Sequence, residues 1–246
     1  EGWPVIVLAE EKGDQEKLLA LCEKTAFGCK IASVAGCYGF DKGFACFWLD
    51  TTSQAVYCLV DGVMLLSGTV LDGEEALAFL RAVGPEQVFC AVRNAEALGL
   101  CPQAAGDVLR RQVPAGEALQ PPGGVNIREL YGLLEETGMV EEFEPFYLDL
   151  SHKLRHGGAV ALTRRQEGEL AGCAVVSAIS RKAAVLSAVA VGERFRRQGM
   201  GSALVRQAEA CLPGKNVYVF REKEKNQAFY RKLGYSKIDT WVQARL

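Results

Sequence analysis

The sequence lacks most of the signatures that would settle a function at once. There is no Gly-Lys-Ser or Gly-Lys-Thr, which excludes a Walker phosphate loop, and no Gly-x-Gly-x-x-Gly. The nearest approach to the latter, Gly199-Met-Gly-Ser-Ala-Leu204, has leucine where a dinucleotide-binding loop needs its third glycine, and the flanking strands read as hairpins, not parallel crossovers. No Cys-x-x-Cys occurs, and only His152 and His156 could join the nine cysteines in a metal site, so no metal is expected. Those cysteines (22, 29, 37, 46, 58, 90, 101, 173 and 211) are odd in number. Cys46, Cys58, Cys90 and Cys173 lie in apolar runs as small hydrophobes, so the sequence suits a reducing compartment and the expected location is cytoplasmic. Glu1–Glu10 has a brief apolar run without a basic flank or cleavage site, so no signal peptide is read there. The longest apolar region, 55–71, is broken by Asp61-Gly62, so no membrane span is expected. No repeat is evident at the level of residue identity.

Over 246 residues two domains of ordinary size are expected, with the 49% hydrophobic and 24% charged content of a globular protein. The net charge of −2 hides an asymmetry: residues 1–126 carry 9 Lys/Arg against 16 Asp/Glu, and residues 127–246 carry 19 against 14. A basic C-terminal half suits a polyanionic small molecule, although a solvated face would look the same. Nucleic acid is not an expected partner, because the basic residues of 221–225 alternate with acids and have no aromatic stacking platform.

In chain order, Asp14 is expected to cap a helix burying Leu18, Leu19, Leu21 and Cys22, and residues 36–43 to form a loop. Strands at 44–49, 55–60 and 63–67, separated by Asp50-Thr-Thr-Ser53 and Asp61-Gly62, read as an antiparallel meander. Asp72 caps a helix that Gly84-Pro85 ends; a strand at 87–92, a helical turn at 94–100 and a strand at 108–113 follow. Residues 114–125 have the composition of a linker. They divide a domain over 1–113 from one over 126–246. In the second, Asn126 caps a helix over 127–137, and another runs from about 141 to 155. A hairpin joins 159–163 to 170–178 around 164–169; strands at 185–191, 216–220 and 235–246 and helices after Gly199 and over 226–233 complete the chain.

One stretch concentrates the chemistry. The apolar run from Val185 to Val191 breaks at Gly192 into the basic loop Arg194–Gln198, passes Gly199 and Gly201, and continues as a helix with Leu204, Val205, Ala208, Cys211 and Leu212 on one face. The free N–H groups and positive dipole at that helix start, with arginines beside them, would hold a phosphate. An ordinary strand-to-helix turn is the alternative reading.

The order of elements and three local matches resemble the GNAT superfamily of acetyl-CoA-dependent N-acyltransferases. The fold class expected is α/β (α+β), a mixed, mostly antiparallel sheet flanked by helices, with two domains in tandem. Arg196-Arg197-Gln198-Gly199-Met200-Gly201 fits the family's Arg/Gln-x-x-Gly-x-Gly/Ala pyrophosphate loop, which extends to Ser202. Val189-Ala190-Val191 stands where the family pairs a strand with the pantetheine arm. Asn226-Gln-Ala-Phe-Tyr230-Arg-Lys-Leu-Gly-Tyr235 is similar to its Asn-x-x-x-Tyr-x-x-x-Gly-Phe helix, although many members place the asparagine a turn earlier, where this chain has Lys223. The resemblance covers residues 127–246. It implies acetyl-CoA as cosubstrate, an amine-bearing small molecule or a protein amino group as acceptor, Asn226 near the cofactor, and Tyr230 as proton donor to the departing thiolate. For Tyr230 the plainer reading is that Phe229-Tyr230 packs the helix on the sheet.

Acyl transfer needs a neutral amine, a polarised carbonyl and a proton for the thiolate. The backbone N–H of Val191 or Ala190 is the candidate to polarise the carbonyl. No carboxylate lies in 185–191 or 217–220, where the family often has its base. Glu222 and Glu224 sit in a solvated charge run, Glu144 and Asp149 could line an acceptor groove, and His152 and His156 also suit a helix C-terminus. The base is left unassigned. The alternative function is a non-catalytic acyl-CoA sensor. A homodimer is compatible with the sequence, which leaves the oligomeric state open.

The family's first strand, before the helix at Ile127, is missing unless 108–113 supplies it. The N-terminal half shows meander, helix and strand in the same sequence as the transferase core. It is read as a degenerate GNAT-like unit whose turn, Ser67-Gly-Thr-Val-Leu-Asp-Gly73, lacks arginine and should not bind coenzyme A. Its expected tasks are support and shaping the acceptor groove.

Overall fold

The chain opens with strand β1 (Ile6–Leu8), helices α1 (Lys12–Cys22) and α2 (Ala26–Tyr38), strands β2 (Ala45–Asp50), β3 (Val56–Val60) and β4 (Val63–Ser67), helix α3 (Gly73–Val83), strand β5 (Gln87–Ala91), helix α4 (Val92–Ala97) and strand β6 (Pro102–Gln112). It continues with α5 (Ile127–Glu136), α6 (Phe143–Arg155), β7 (Val160–Gln166), β8 (Glu169–Ile179), β9 (Ala183–Val191), a 3-10 turn (Glu193–Phe195), α7 (Met200–Ala210), β10 (Asn216–Glu222), α8 (Gln227–Lys232) and β11 (Ser236–Ala244). This computed structural model describes residues 5–121 and 123–246. The first four residues of the Glu1–Glu10 segment, and Pro122 of the expected linker, lie outside the described residues.

By contacts the described chain divides into two units, neither contiguous in sequence. Unit 1 takes the residues up to Leu109 with Phe220–Lys225 and Lys237–Leu246; unit 2 takes Arg110–Val219 with Asn226–Ser236.

In unit 1 the strand order is β1-β2-β3-β4-β5-β11. The meander β2-β3-β4 is antiparallel as expected, β4 and β5 are parallel, and β11 is antiparallel to β5, with Trp241 opposite Ala91 and Ala244 opposite Val88. Alternation sends Phe47, Cys58 and Leu65 into one core with α1 and α2, and Tyr57, Met64 and Cys90 into another with α3 and α4.

In unit 2 the order is β10-β9-β8-β7, antiparallel from β7 to β9 and parallel between β9 and β10. Helix α7 is therefore a crossover, where hairpins were expected around it. Strand β6 flanks β10, so it does not stand beside β7 as a missing first strand would; β7 is the outermost strand. The core under α5 and α6 contains Leu130, Leu133, Leu134, Leu150, Ala161, Cys173, Val175 and Ala190.

Several expectations need correction. Asp14 lies inside α1, whose N-cap is Glu11 and carries no side-chain cap. Helix α2 was not foreseen: Thr25 caps it by accepting from Gly28 N at 2.8 Å, and it runs through Gly36 to Tyr38, where a loop was expected. The turn expected over 164–169 shrinks to Glu167-Gly168, both at positive φ, and its flanks belong to β7 and β8. Asn126 does cap α5, accepting from Arg128 N and Glu129 N, and Asp72 caps α3. All nine cysteines are free thiols; Cys58, Cys90 and Cys173 are buried and Cys46 is half-buried. Among the described residues no helix is long and apolar enough to cross a membrane.

Candidate active site

Strand β9 carries an irregularity at its middle. Val175 faces Ala188 and Val176 faces Leu186, so Ser187 is an extra residue on β9, and its Oγ donates to Val175 O at 3.1 Å. A bulge bends and twists the strand that bears it. The parallel register with β10 runs only over Ala183–Val185 against Asn216–Tyr218, before the bulge. Beyond it Val189, Ala190 and Val191 remain registered with β8 on one side alone. A splayed strand of this kind offers main-chain groups to an extended ligand.

The chain then turns through Gly192 and the 3-10 turn, where Phe195 is buried and Arg194 stacks over its ring at 4.6 Å while pairing with Glu169. Arg196 Nε donates to Val191 O at 3.0 Å, tying the loop to the strand end. Arg197 has φ 62° and Gly199 φ 79°, both in the left-handed region. Gly199 is the N-cap of α7, and no side chain caps the helix. The first intrahelical bond runs from Ala203 N to Gly199 O, so the N–H groups of Met200, Gly201 and Ser202 precede the ladder at the positive end of the dipole. Arg196, Arg197 and Gln198 are exposed beside them. The helix start is thus uncapped, with three exposed polar side chains beside its free N–H groups.

Helix α8 lies against this assembly. A Cβ built on Gly201 would stand 3.5 Å from Phe229 Cε2 and 3.7 Å from Val191 Cγ2, so the Phe229 ring meets both the start of α7 and the end of β9. Phe229 therefore packs as the plainer reading held, and its neighbour Tyr230 is half-buried, with its ring 5.0 Å from that of Phe229 and 5.6 Å from that of Tyr235. Asn226 is the N-cap of α8 at φ 57°, exposed and without a side-chain cap bond.

Two groups at the far end of α7 carry shifted acidities. Burial raises the Glu209 carboxyl, opposed by the Tyr235 hydrogen bond and by Arg111. Burial likewise pushes the Tyr235 phenol well up, and the Glu209 charge adds to it. Neither residue is evident in the sequence; the only hint is a tyrosine where the related helix ends in Gly-Phe.

Of the residues weighed as a base, four have local partners. Asp149 pairs with Lys153 at 2.8 Å and Glu222 with Lys225 at 3.2 Å. His152 and His156 stack at the end of α6 with ring centroids 4.0 Å apart, and His156 Nδ1 lies 2.8 Å from His152 O, which matches the helix-terminus reading. Glu144 and Glu224 are exposed.

Residues 127–235 match the Acetyltransferase (GNAT) family. An uncharacterized N-acetyltransferase of Chlorobaculum tepidum is 33% identical over 73 residues, which cover 30% of this chain and 47% of that protein, so the chain matches about half the length of this relative. A GCN5-related N-acetyltransferase of Sphaerobacter thermophilus superposes with TM-score 0.62 at 15% identity, covering 100% of this chain and 96% of the other. A tandem GNAT protein from the clavulanic acid biosynthesis pathway gives TM-score 0.59 at 16% identity over 97% and 96%. At these identities the likeness shows the fold, and it shows it for both halves of the chain.

Proposed function

We propose that the protein, whose residues 127–235 match the Acetyltransferase (GNAT) family, moves the acetyl group of acetyl-CoA directly to a primary amine. The family implies an acyl-CoA cosubstrate. The observation that carries the reading is the meeting at Phe229 of the uncapped start of α7, the one-sided end of β9 and the helix bearing Tyr230.

The residues fit the cosubstrate group by group. The N–H groups of Met200–Ser202, with Arg196, Arg197 and Gln198, hold the pyrophosphate; charge-assisted hydrogen bonds of this sort contribute roughly 1.5–3 kcal/mol each. The main chain of Val189–Val191 pairs with the pantetheine arm, and an N–H of Ala190 or Val191 polarises the thioester carbonyl. The amine nitrogen attacks the carbonyl carbon, a C–N bond forms and the C–S bond breaks. Tyr230 gives its proton to the leaving thiolate, and the proton lost by the nitrogen returns to solvent, from which the phenol is restored. A phenol near pKa 10 is well matched to a thiol near 8.5. Asn226 lies at the start of the same helix and lines the cofactor end of the site.

Unit 1 does not bind coenzyme A. The start of α3 is already satisfied: Asp72 Oδ1 accepts from Glu75 N at 3.0 Å, and Glu74 and Glu75 place negative charge in the first turn. The preceding turn is filled by Asn94, 1% exposed, which accepts from Val70 N at 3.1 Å and donates to Gly68 O at 3.0 Å. The nine free thiols favour a reducing, cytoplasmic setting.

A second reading, a non-catalytic acyl-CoA sensor, is favoured by the absence of a carboxylate from β9 and from 216–220. Acetyl-CoA turnover over a panel of amines, with Tyr230→Phe beside the wild type, separates the two. Turnover that falls about 100-fold in the variant, with coenzyme A affinity kept, supports the transferase. Binding without turnover on any acceptor supports the sensor.

A further inference from the structure

A buried polar chain runs from the far end of α7 to the helix that bears Tyr230. Glu209, in the last turn of α7 and 5% exposed, accepts from Tyr235 Oη at 2.9 Å and pairs with Arg111 Nη1 at 3.2 Å. Arg111 Nη1 also donates to the carbonyl of Leu233, the C-cap of α8. Leu233 N donates back to Tyr230 O at 3.1 Å, and Tyr235 N donates to the same carbonyl at 3.0 Å. The Tyr235 ring stands edge-on to that of Tyr230, at 74°.

Helix α8 is therefore held along α7 at two points. Phe229 sits at Gly201 in the first turn of α7, and Tyr235 is bonded to Glu209 in the last. At about 1.5 Å of rise per residue these anchors are roughly 12 Å apart on one rigid element. Tyr230 lies between them in sequence. The Tyr235 hydroxyl donates, because burial keeps the phenol protonated, and a buried carboxylate with one donor and one cation is a costly arrangement to build for packing alone.

We propose that Glu209, acting through Tyr235 and Arg111, is a positioning residue that fixes the Tyr230 ring beside Phe229, which packs on the start of α7. The catalytic consequence rests on the acetyltransferase reading; the positional one does not. Losing the network displaces the phenol from the thiolate while leaving α7's N-terminus intact. Displacements of about 1 Å at a reacting group cost up to roughly 100-fold in rate.

The test uses the full chain labelled with 13C at the tyrosine Cζ, with the Tyr230 signal assigned by Tyr230→Phe. Tyr235→Phe keeps the ring and removes the Oη; Glu209→Gln keeps an acceptor for it, and Glu209→Leu does not. Expected are a moved or broadened Tyr230 signal in Tyr235→Phe and Glu209→Leu, recovery in Glu209→Gln, and coenzyme A affinity within about twofold of wild type. Turnover should show kcat down about 10- to 100-fold with KM for acetyl-CoA unchanged. Tyr235→Phe should also add no further loss to Tyr230→Phe. An unmoved Tyr230 signal in folded Tyr235→Phe overturns the proposal, as does a Tyr235→Phe loss that persists undiminished in the Tyr230→Phe background. A moved signal alongside wild-type turnover in Tyr230→Phe upholds the positioning and overturns the acid role of Tyr230 instead.

Discussion

Phe229 leaves ordinary van der Waals room at Gly201: its Cε2 would stand 3.5 Å from a Cβ placed there. The fold therefore does not demand glycine at this position, which has none of the positive φ seen at Gly199. A methyl group there would meet the Phe229 ring and Val191 Cγ2 in ordinary contact, and the loop motif this stretch resembles takes glycine or alanine at the position.

Gly201→Ala should be tolerated by folding and binding alike. Alanine in a helix is favoured over glycine by up to about 1 kcal/mol, so the midpoint of thermal unfolding should hold or rise. Coenzyme A affinity, measured by calorimetry, should stay within about twofold, roughly 0.4 kcal/mol, because the added methyl meets Phe229 and Val191. A loss of affinity of about tenfold would place the anion on the Phe229 side of this helix turn.

Arg197 makes a similar case by another route. Its φ of 62° places a non-glycine residue in the left-handed region, a strain of about 1 kcal/mol. Arg197→Gly relieves that strain and removes the guanidinium. Stability should stay within about 0.5 kcal/mol, while coenzyme A affinity falls and loses part of its salt dependence. Equal affinity across a salt series in both proteins would count against a phosphate contact from this arginine.

Titration of the full chain should give one coenzyme A per chain, because the start of α3 is capped from within. Asn94→Ala strands the Val70 N–H and the Gly68 carbonyl. It should cost about 2–3 kcal/mol of stability in urea titrations and leave coenzyme A affinity unaltered. Two binding sites, or a second site abolished by this variant, would show unit 1 to be a ligand domain.

Acid sensitivity should centre on Asp107, 6% exposed. Burial alone would raise its carboxyl, but hydrogen bonds from Lys237 and Arg221 more than offset this and hold it below the usual carboxylate range. The folded value lies below the unfolded one of about 3.9. Its contribution is thus complete above pH 4 and is lost as pH falls through the folded value. Asp107→Asn should be less stable at pH 7 by about 3 kcal/mol, with a shallower loss between pH 5 and 2 in denaturant titrations. Parallel acid limbs in the two proteins would contradict this.

The parts legible in the sequence are those whose signal is local. Caps at Asp72 and Asn126, the meander around Asp61-Gly62, and the run from Val189 to Ser202 are each written within a few residues of where they act. Helix α2 escaped because Ala26–Ala35 is buried almost all round, leaving no polar stripe to reveal a 3.6-residue period. Strand β6 starts six residues before the expected Val108, because Pro102–Ala105 is exposed and carries no apolar alternation. Glu209, Tyr235 and Arg111 come from three separate stretches of the chain, and nothing in any one of them announces the other two. No base is legible for a related reason: a carboxylate acts by where it stands, and Asp149 and Glu222 stand beside lysines.

Pairing β11 with β5 also makes the polypeptide's timetable matter. Ala91 meets Trp241, roughly 150 residues later. At translation rates of about 5–20 residues per second, β5 emerges on the order of ten seconds or more before its partner. Throughout that interval one side of β5 offers unpaired main-chain groups to any passing strand. The N-terminal half, though made first, is thus finished last. A stop codon near residue 236 would injure the sheet of unit 1 while sparing the stretch from Val189 to Ser202.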